Sequence, residues 1–374
     1  MTVILDTTAY RANSQNGLHF AGLTRLCNHN LIRLRIPYVV ELETISQKKE
    51  EATKLFTEAK NSLHGLARNP SLTCEESSRI QDFANHLNGL KKTVVSTMID
   101  NTWNYWKDMA NAVTLCMSAE QSENAILAYI NGTPPVSHAK NKKDLPDSFI
   151  YQQIRNLAED EEVTVVTNDS RLLGALDGLA NVTVFKKLAE LLDSDSVREL
   201  FIILTEHELK NDFSTVLEFL QSNSAYLISV AARLGSDIIV GVQLPFDDPS
   251  ENPYEHTIRS HGDPVNIILD FKNLKYYGDG EFGLPFKFSC EVLIDFFIDK
   301  AEYWALEKDE QPGISEWNDH VYEAESEGVV SVTGTLKISA PLEIYQEFIT
   351  GGNDTDITSF DIEIDSIGNV EEIS

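Results

Sequence analysis

The feature that most constrains the fold is an alternation of short apolar strands with helical patterns in the first half of the chain. In the stretch TVVTNDSRLL, residues 164–173, a buried-looking strand runs through a short polar corner into an apolar helix. Further strands are predicted at residues 2–5, 31–36 and 182–185, with helical spacing of apolar residues between them. Strands that alternate with helices usually form a mainly parallel sheet. The first half therefore predicts an α/β domain.

The distribution of charge predicts two domains. The chain has 374 residues and a net charge of −29. Residues 1–193 carry 20 Lys and Arg against 23 Asp and Glu, whereas residues 194–374 carry 10 against 36. The first part could approach a polyanion, while the second would repel one at long range. Beyond about residue 234 the pattern alternates as in residues 329–339 and 360–367, which indicates an acidic α+β domain rich in antiparallel strands.

Several classes of protein are disfavoured by what the sequence lacks. It has no apolar run of about eighteen residues, and its opening MTVILDTTAY carries an acid in the early apolar stretch, so neither a membrane span nor a signal peptide is predicted. We therefore expect a cytoplasmic protein with no membrane association. The four cysteines form no CxxC pair and the nine histidines form no HExxH, so zinc chemistry is not predicted.

Two strands of the predicted sheet end on an aspartate. Asp6 follows the strand TVIL, and Asp169 follows TVVTN. The carboxyl ends of parallel strands share one edge of the sheet, where open α/β sheets bind ligands and where paired carboxylates can hold a divalent cation. The alternative for each residue is a turn or a helix cap, because short carboxylates accept hydrogen bonds from the free amides of a first turn.

Two further segments offer inward-facing acids. Asp147 continues the apolar face of the helix SFIYQQIRNL, although it could simply be a first-turn acid facing the helix dipole, and Asp144 is expected to cap that helix. The long helix that follows Pro37 carries Glu41 and Glu43, which lie about 200° apart and cannot both face one ion. The apolar stripe does not decide between these two glutamates.

These motifs, in this order, resemble the PIN-domain nucleases, and in particular a larger PIN-like group with inserted helices. The resemblance covers about residues 1–190 and rests on LDTTAY, the acid-bearing helix after IPYVV, Asp147 with its apolar helix, and VVTND. It implies a three-layer domain over residues 1–193, a helical insertion at about 46–130, and Mg²⁺- or Mn²⁺-dependent hydrolysis of phosphodiester bonds, usually in single-stranded RNA. Spacing from Pro37 matches the family better at Glu43. The implied catalytic and metal-binding residues are Asp6, Glu43, Asp147 and Asp169, with Glu41 as the alternative ligand.

The expected chemistry follows from four carboxylates that lie close together. Their mutual repulsion raises some of the pKa values unless a cation compensates, and a bound divalent ion can also activate water and neutralise the scissile phosphate. Positive and polar side chains near the predicted edge could contact the substrate, although an ordinary solvated surface is an equal alternative for each cation. The candidate substrate-binding residues are Lys140, Lys142, Lys143, Arg171, Asn168 and Thr7 or Thr8.

Two other enzyme classes fit the sequence less well than a nuclease does. A haloacid-dehalogenase phosphatase would require an acid at position 8, where the chain has Thr8, and the nucleotide-binding pattern GxxxxGK[ST] is absent. A non-catalytic PIN-like module that binds a basic protein partner remains open. We expect RNA as the partner, with DNA as an alternative, and an acidic domain over residues 194–374 that restrains or directs the nuclease, binds a basic partner or forms a homo-oligomer.

Overall fold

The computed structural model describes residues 1–13, 17–69, 71–209, 212–244, 256–308, 311–349 and 356–373. The chain divides into two compact units, Met1–Leu200 and Phe201–Ser374. Each unit contains its own sheet. The structure contains, over these ranges, no helix that is both long and apolar enough to cross a membrane.

The N-terminal unit is built on a five-stranded sheet in which every paired strand is parallel. The strand order is β3-β2-β1-β4-β5, so β1 lies at the centre with β4 beside it. All residues of β1 and β4 are buried, which explains why both are runs of mainly β-branched and apolar residues. The strands are β1 (Thr2–Leu5), β2 (Arg33–Pro37), β3 (Val113–Leu115), β4 (Val163–Val166) and β5 (Val182–Phe185).

Helices flank this sheet and connect its strands. The longest, α3, follows β2 directly and packs against α4 to form most of the inserted segment. A π-helical stretch at Val94–Met98 joins α4 to α5, and a 3-10 turn at Lys142–Asp144 precedes α7. The helices are α1 (Thr7–Ala12), α2 (Leu18–Asn28), α3 (Tyr38–Ala67), α4 (Cys74–Thr93), α5 (Ile99–Met109), α6 (Ala119–Asn131), α7 (Leu145–Asp160), α8 (Ser170–Leu176) and α9 (Leu188–Leu192).

Local sequence signals explain how α6 is bounded. At its N-terminus, Ser118 and Gln121 form a reciprocal capping box that satisfies two free amides. At its C-terminus, Gly132 has a φ of 70°, and a Cβ there would lie 2.5 Å from the backbone nitrogen of Ala139. Glycine is therefore required both by the left-handed conformation and by the close approach of the following loop.

The C-terminal unit is an antiparallel sheet with helices packed into its core. Two strands of 19 residues each, β10 and β12, pair along their whole length and form its centre. Beside β12 lie β11 and β13, and beside β10 lie β7, β8 and β9, with β6 paired to β7. The strands are β6 (Gln243–Leu244), β7 (His256–His261), β8 (Val265–Leu269), β9 (Lys275–Gly278), β10 (Glu281–Asp299), β11 (Gly313–Glu316), β12 (Val321–Ser339) and β13 (Asp361–Glu372).

Alternate residues of β10 and β12 form one buried face of this sheet. In β10 these include Phe282, Phe288 and Ile294, and they pack with residues of the helices such as Leu220 and Leu227. The helices around this sheet are α11 (Phe213–Ser222), α12 (Ser224–Ile238), α13 (Lys300–Tyr303) and α14 (Leu342–Ile349), while α10 (Asp195–Leu209) spans the boundary between the units. The predicted fold class, α/β followed by an α+β region rich in antiparallel strands, is confirmed.

Candidate active site

The site begins where two neighbouring strands end. Leu5 pairs with Val166 as the last residues of β1 and β4, and the amide of Asp6 donates to the carbonyl of Val166 at 3.0 Å. Asp6 lies at the start of α1, and Asp169 lies at the start of α8. The parallel pairing therefore brings the ends of both segments to one edge of the sheet.

Asp169 has the geometry of a helix cap. Its Oδ1 accepts hydrogen bonds from the amides of Arg171 and Leu172 at 2.8 and 3.0 Å. Its Oδ2 lies 3.6 Å from Nη2 of Arg171. Asp169 can cap α8 through Oδ1 and still present Oδ2 to a ligand, because its two carboxylate oxygens have different partners.

A network of threonine hydroxyls fixes Asp6. Its Oδ2 accepts hydrogen bonds from Thr8 Oγ1 at 3.0 Å and from the buried Thr167 Oγ1 at 2.9 Å. Thr167 accepts from the amide of Asp169, and Thr8 accepts from the amide of Asn168. Burial raises the pKa of Asp6, and these hydrogen bonds oppose part of that rise. Thr167 was not predicted, although it ends the quoted strand with a side chain that could donate across the sheet.

The two glutamates of α3 have different surroundings. Glu43 accepts a hydrogen bond from Thr7 Oγ1 at 2.8 Å, and its pKa is raised by burial and by the neighbouring charge of Asp6. Glu41 is instead held by three donors on other elements: Trp103 Nε1 at 2.9 Å, Lys107 Nζ at 2.9 Å and Thr114 Oγ1 at 2.6 Å.

These three donors also determine the charge of Glu41. Burial opposes ionisation, but the hydrogen bonds outweigh it and lower the pKa of the carboxyl. Glu41 is therefore an ion-paired group that ties α3 to α5 and β3. Glu43 instead lies near Asp6. The two glutamates of α3 therefore point in different directions, as expected for helix positions about 200° apart.

Asp147 has a strongly raised pKa. Burial and the charges of Asp169, Asp6 and Glu43 raise its pKa to about 7, and the guanidinium of Arg171 offsets only part of the rise. This charge coupling brings the four predicted acids into one electrostatic cluster. Without a cation, the cluster therefore retains a proton close to neutral pH.

Arg171 and Asp144 form an ion pair beside this cluster. Nη1 of Arg171 donates to Oδ1 of the fully buried Asp144, whose Oδ2 accepts from Ser137 and Asn141. Burial opposes ionisation of Asp144, but the hydrogen bonds and Arg171 outweigh it and lower the pKa. The expectation that Asp144 caps α7 was wrong, because its side chain makes no capping hydrogen bond. It closes the preceding loop instead.

The remaining candidate residues have varied environments. Lys140, Lys142 and Lys143 are exposed and have no ion pair within the part of the chain that is described. Asn168 is exposed, whereas Thr7 is buried and directs its hydroxyl to Glu43. The lysines are thus available to an anion, while Thr7 is occupied in orienting a carboxylate.

The donor chemistry of the cluster fits a hard divalent cation. Carboxylate oxygens are the ligands that Mg²⁺ and Mn²⁺ prefer, and a cation would relieve the repulsion that raises the pKa of Asp147. Among the described residues, no three His, Cys, Asp or Glu side chains are close enough together to hold one ion in their present positions.

Comparison with known proteins identifies the N-terminal region. A family model described as PIN domain matches residues 3–172, a range that includes all four acids of the cluster. No family model matches the C-terminal half. Searches among curated proteins and among solved structures found no significant match. The resemblance noted in the sequence is confirmed over residues 3–172, which match the PIN-domain family model.

Proposed function

We propose that the protein is a metal-dependent nuclease that hydrolyses phosphodiester bonds, and that single-stranded RNA is its substrate. PIN domains are usually metal-dependent nucleases, which supports the general class. The observation that carries the proposal for this chain is the coupled cluster of Asp6, Glu43, Asp147 and Asp169 at the carboxyl edge of a parallel sheet. The preference for RNA over DNA rests on the family resemblance alone.

In this proposal the four acids hold Mg²⁺ or Mn²⁺, and the surrounding residues orient them. When bound, the ion would supply charge neutralisation for the phosphate and a lowered pKa for the attacking water. Thr8 and Thr167 hold one oxygen of Asp6, and Thr7 holds one oxygen of Glu43. This fixed orientation reduces the rearrangement that is needed when substrate binds.

Charged side chains outside the cluster would guide the substrate. Lys140, Lys142 and Lys143 are exposed on the loop and 3-10 turn before α7, and we assign them to sequence-independent phosphate contacts. We also assign Arg171 to phosphate binding, although it is already one member of an ion pair. Its ion pair with Asp144 orients it beside Asp169, so it would approach a phosphate as a fixed charge.

Cleavage in the presence and absence of metal tests the proposal directly. We expect the purified full-length protein to cleave labelled single-stranded RNA with Mn²⁺ or Mg²⁺ and to be inactive with chelator. Single-stranded DNA of the same sequence is the matched substrate. Cleavage of DNA but not RNA would correct the substrate. Binding of nucleic acid or of a protein without cleavage under any metal condition would favour the non-catalytic binding module.

We also propose that the acidic C-terminal region restrains or directs the nuclease. The 36 acids against 10 bases in residues 194–374 would repel phosphates, although screening limits this effect to about 8 Å at physiological salt. Its two long paired strands and buried core provide a folded structure for such a role.

We expect residues 1–193 alone to bind RNA more tightly than the full chain and to cleave it faster. The difference should shrink as salt is raised, because the repulsion is electrostatic. Circular dichroism of the fragment provides the folding control. A folded fragment with the same rate, metal requirement and RNA affinity as the full protein would rule out restraint.

A further inference from the structure

The outer face of the β10–β12 ladder carries an unusual concentration of acids. The ladder runs without interruption from Glu281–Ser339 to Asp299–Val321, so alternate residues keep the same face throughout. In the half of the ladder where residues 291–297 of β10 pair with residues 323–329 of β12, the face opposite the core presents acids and apolar groups in turn along β10, and three acids and a valine along β12. We call this surface the acidic groove; it consists of Glu291, Leu293, Asp295 and Phe297 of β10, Glu323, Glu325, Glu327 and Val329 of β12, and Trp317.

The register of the groove places negative charges against one another. Asp295 lies directly opposite Glu325, a pairing of like charges that destabilises a sheet. Arg259 of β7 contacts both, with its Nη1 3.7 Å from Asp295 Oδ1. Burial and the charges of Glu325 and Glu323 nevertheless leave the pKa of Asp295 above its ordinary value. One arginine therefore does not neutralise this cluster.

The other end of the same ladder is neutralised internally. There Lys337 lies 3.4 Å from Glu281 and 3.2 Å from Glu363, so one cation bridges two acids. The groove has five acids against Arg259, while His261 at its margin lies 3.8 Å from Asp237. On this face of the β10–β12 ladder the excess negative charge is thus confined to the groove, since the other half of the face carries Glu281 with Lys287 and Lys337.

Apolar and aromatic surface accompanies these charges. Phe297 and Trp317 have ring centroids 5.1 Å apart, and Trp317 is 60% exposed. A surface cavity of about 500 Å³ continues the groove and is lined by Leu293, Val329 and Glu327 among others. Arginine matches such a surface, because its planar guanidinium stacks on aromatic rings and pairs with carboxylates.

We propose that the acidic groove binds an extended, arginine-bearing segment of a partner protein. The acids at 323, 325 and 327 recur every second residue along β12, a spacing that matches alternate side chains of an extended peptide. Guanidinium groups of the segment pair with Glu323, Glu325 and Glu327, and one stacks on Trp317. This inference does not depend on nuclease activity, and its test involves no cleavage.

Fluorescence anisotropy of the full-length protein tests the proposal with a short labelled peptide in which arginine alternates with alanine. We expect saturable binding that weakens about tenfold in the double variant Glu323→Gln with Glu327→Gln, and a similar loss in Trp317→Ala. Neither glutamate pairs with Arg259, so the double variant leaves that ion pair in place. Its melting temperature should be no lower than that of the wild type, because like charges have been removed.

A matched variant separates the groove from the general acidity of the chain. Asp361→Asn with Glu343→Gln removes the same charge at exposed positions outside the groove, keeps both ion pairs of Lys337 and should leave peptide affinity unchanged. Equal affinity of the wild type and the groove variants, or equal weakening in this control, would overturn the proposal. Self-association that Trp317→Ala abolishes and that excludes the peptide would assign the groove to a second copy of the chain, which also overturns it.

Discussion

Asp6→Asn should reduce the rate of RNA cleavage at least about a hundredfold, equivalent to about 2.7 kcal/mol of transition-state stabilisation. The variant removes a negative charge from the proposed metal site while preserving the shape of the side chain. Its amide oxygen can still accept from Thr8 and Thr167, which hold the carboxylate in the wild type. Because burial already opposes the ionised form of Asp6, the variant should retain the fold. Cleavage under saturating Mn²⁺ and a melting curve measure the two effects.

The two glutamates of α3 provide a matched pair for the same experiment. Glu43→Gln should lose activity and keep its stability, whereas Glu41→Gln should keep activity and lose stability. The reason is that Glu41 is ion-paired to Lys107 and bonded to Trp103, while Glu43 is coupled to Asp6. The opposite pattern would move the proposed site to Glu41. Wild-type rates in both Asp6→Asn and Glu43→Gln would exclude the proposed cluster.

The sequence predicted the central strands because burial on both sides leaves an unmistakable pattern. In β1 and β4 every side chain is buried, so each is a short uninterrupted apolar or β-branched run next to an acid. The strand β3 was not predicted, and it lies inside the segment of about 46–130 that the resemblance implies to be a helical insertion. It has three residues at the sheet edge, none fully buried, so burial imposes little pattern on it.

The partners of the acids could not be predicted from local spacing. The hydroxyl that orients Glu43 is 36 residues away in sequence, and Lys107 is 66 residues from Glu41. The apolar stripe of α3 did not show which glutamate belongs to the site, because Glu41 is also buried, with polar partners on other elements. The ion pair between Arg171 and Asp144 likewise spans a loop and a helix. Such contacts depend on tertiary packing. The periodicity of residues along one helix does not reveal them.

The metal-free protein should become less stable as pH rises from about 4 to 7. Asp147 has an ordinary pKa of 3.8 when unfolded and a pKa of about 7 in the fold. Between these values the folded state binds a proton that the unfolded state has released, so the free energy of unfolding falls with pH. Asp147→Asn should flatten this dependence and raise the melting temperature at pH 8 by a few degrees, since 1 kcal/mol shifts it by about 2–4 °C.

Asp144→Asn is the control with the opposite sign: its carboxyl has a lowered pKa and pairs with Arg171, so its loss should destabilise the fold at pH 8. Thermal melts of the three proteins in chelator across this pH range measure the effect. A lower melting temperature for Asp147→Asn at pH 8, or a pH slope equal to that of the wild type, would show that Asp147 is not held in a repulsive cluster. Mg²⁺ should stabilise the wild type more at pH 8 than at pH 5, because ion binding must displace the proton retained at the lower pH.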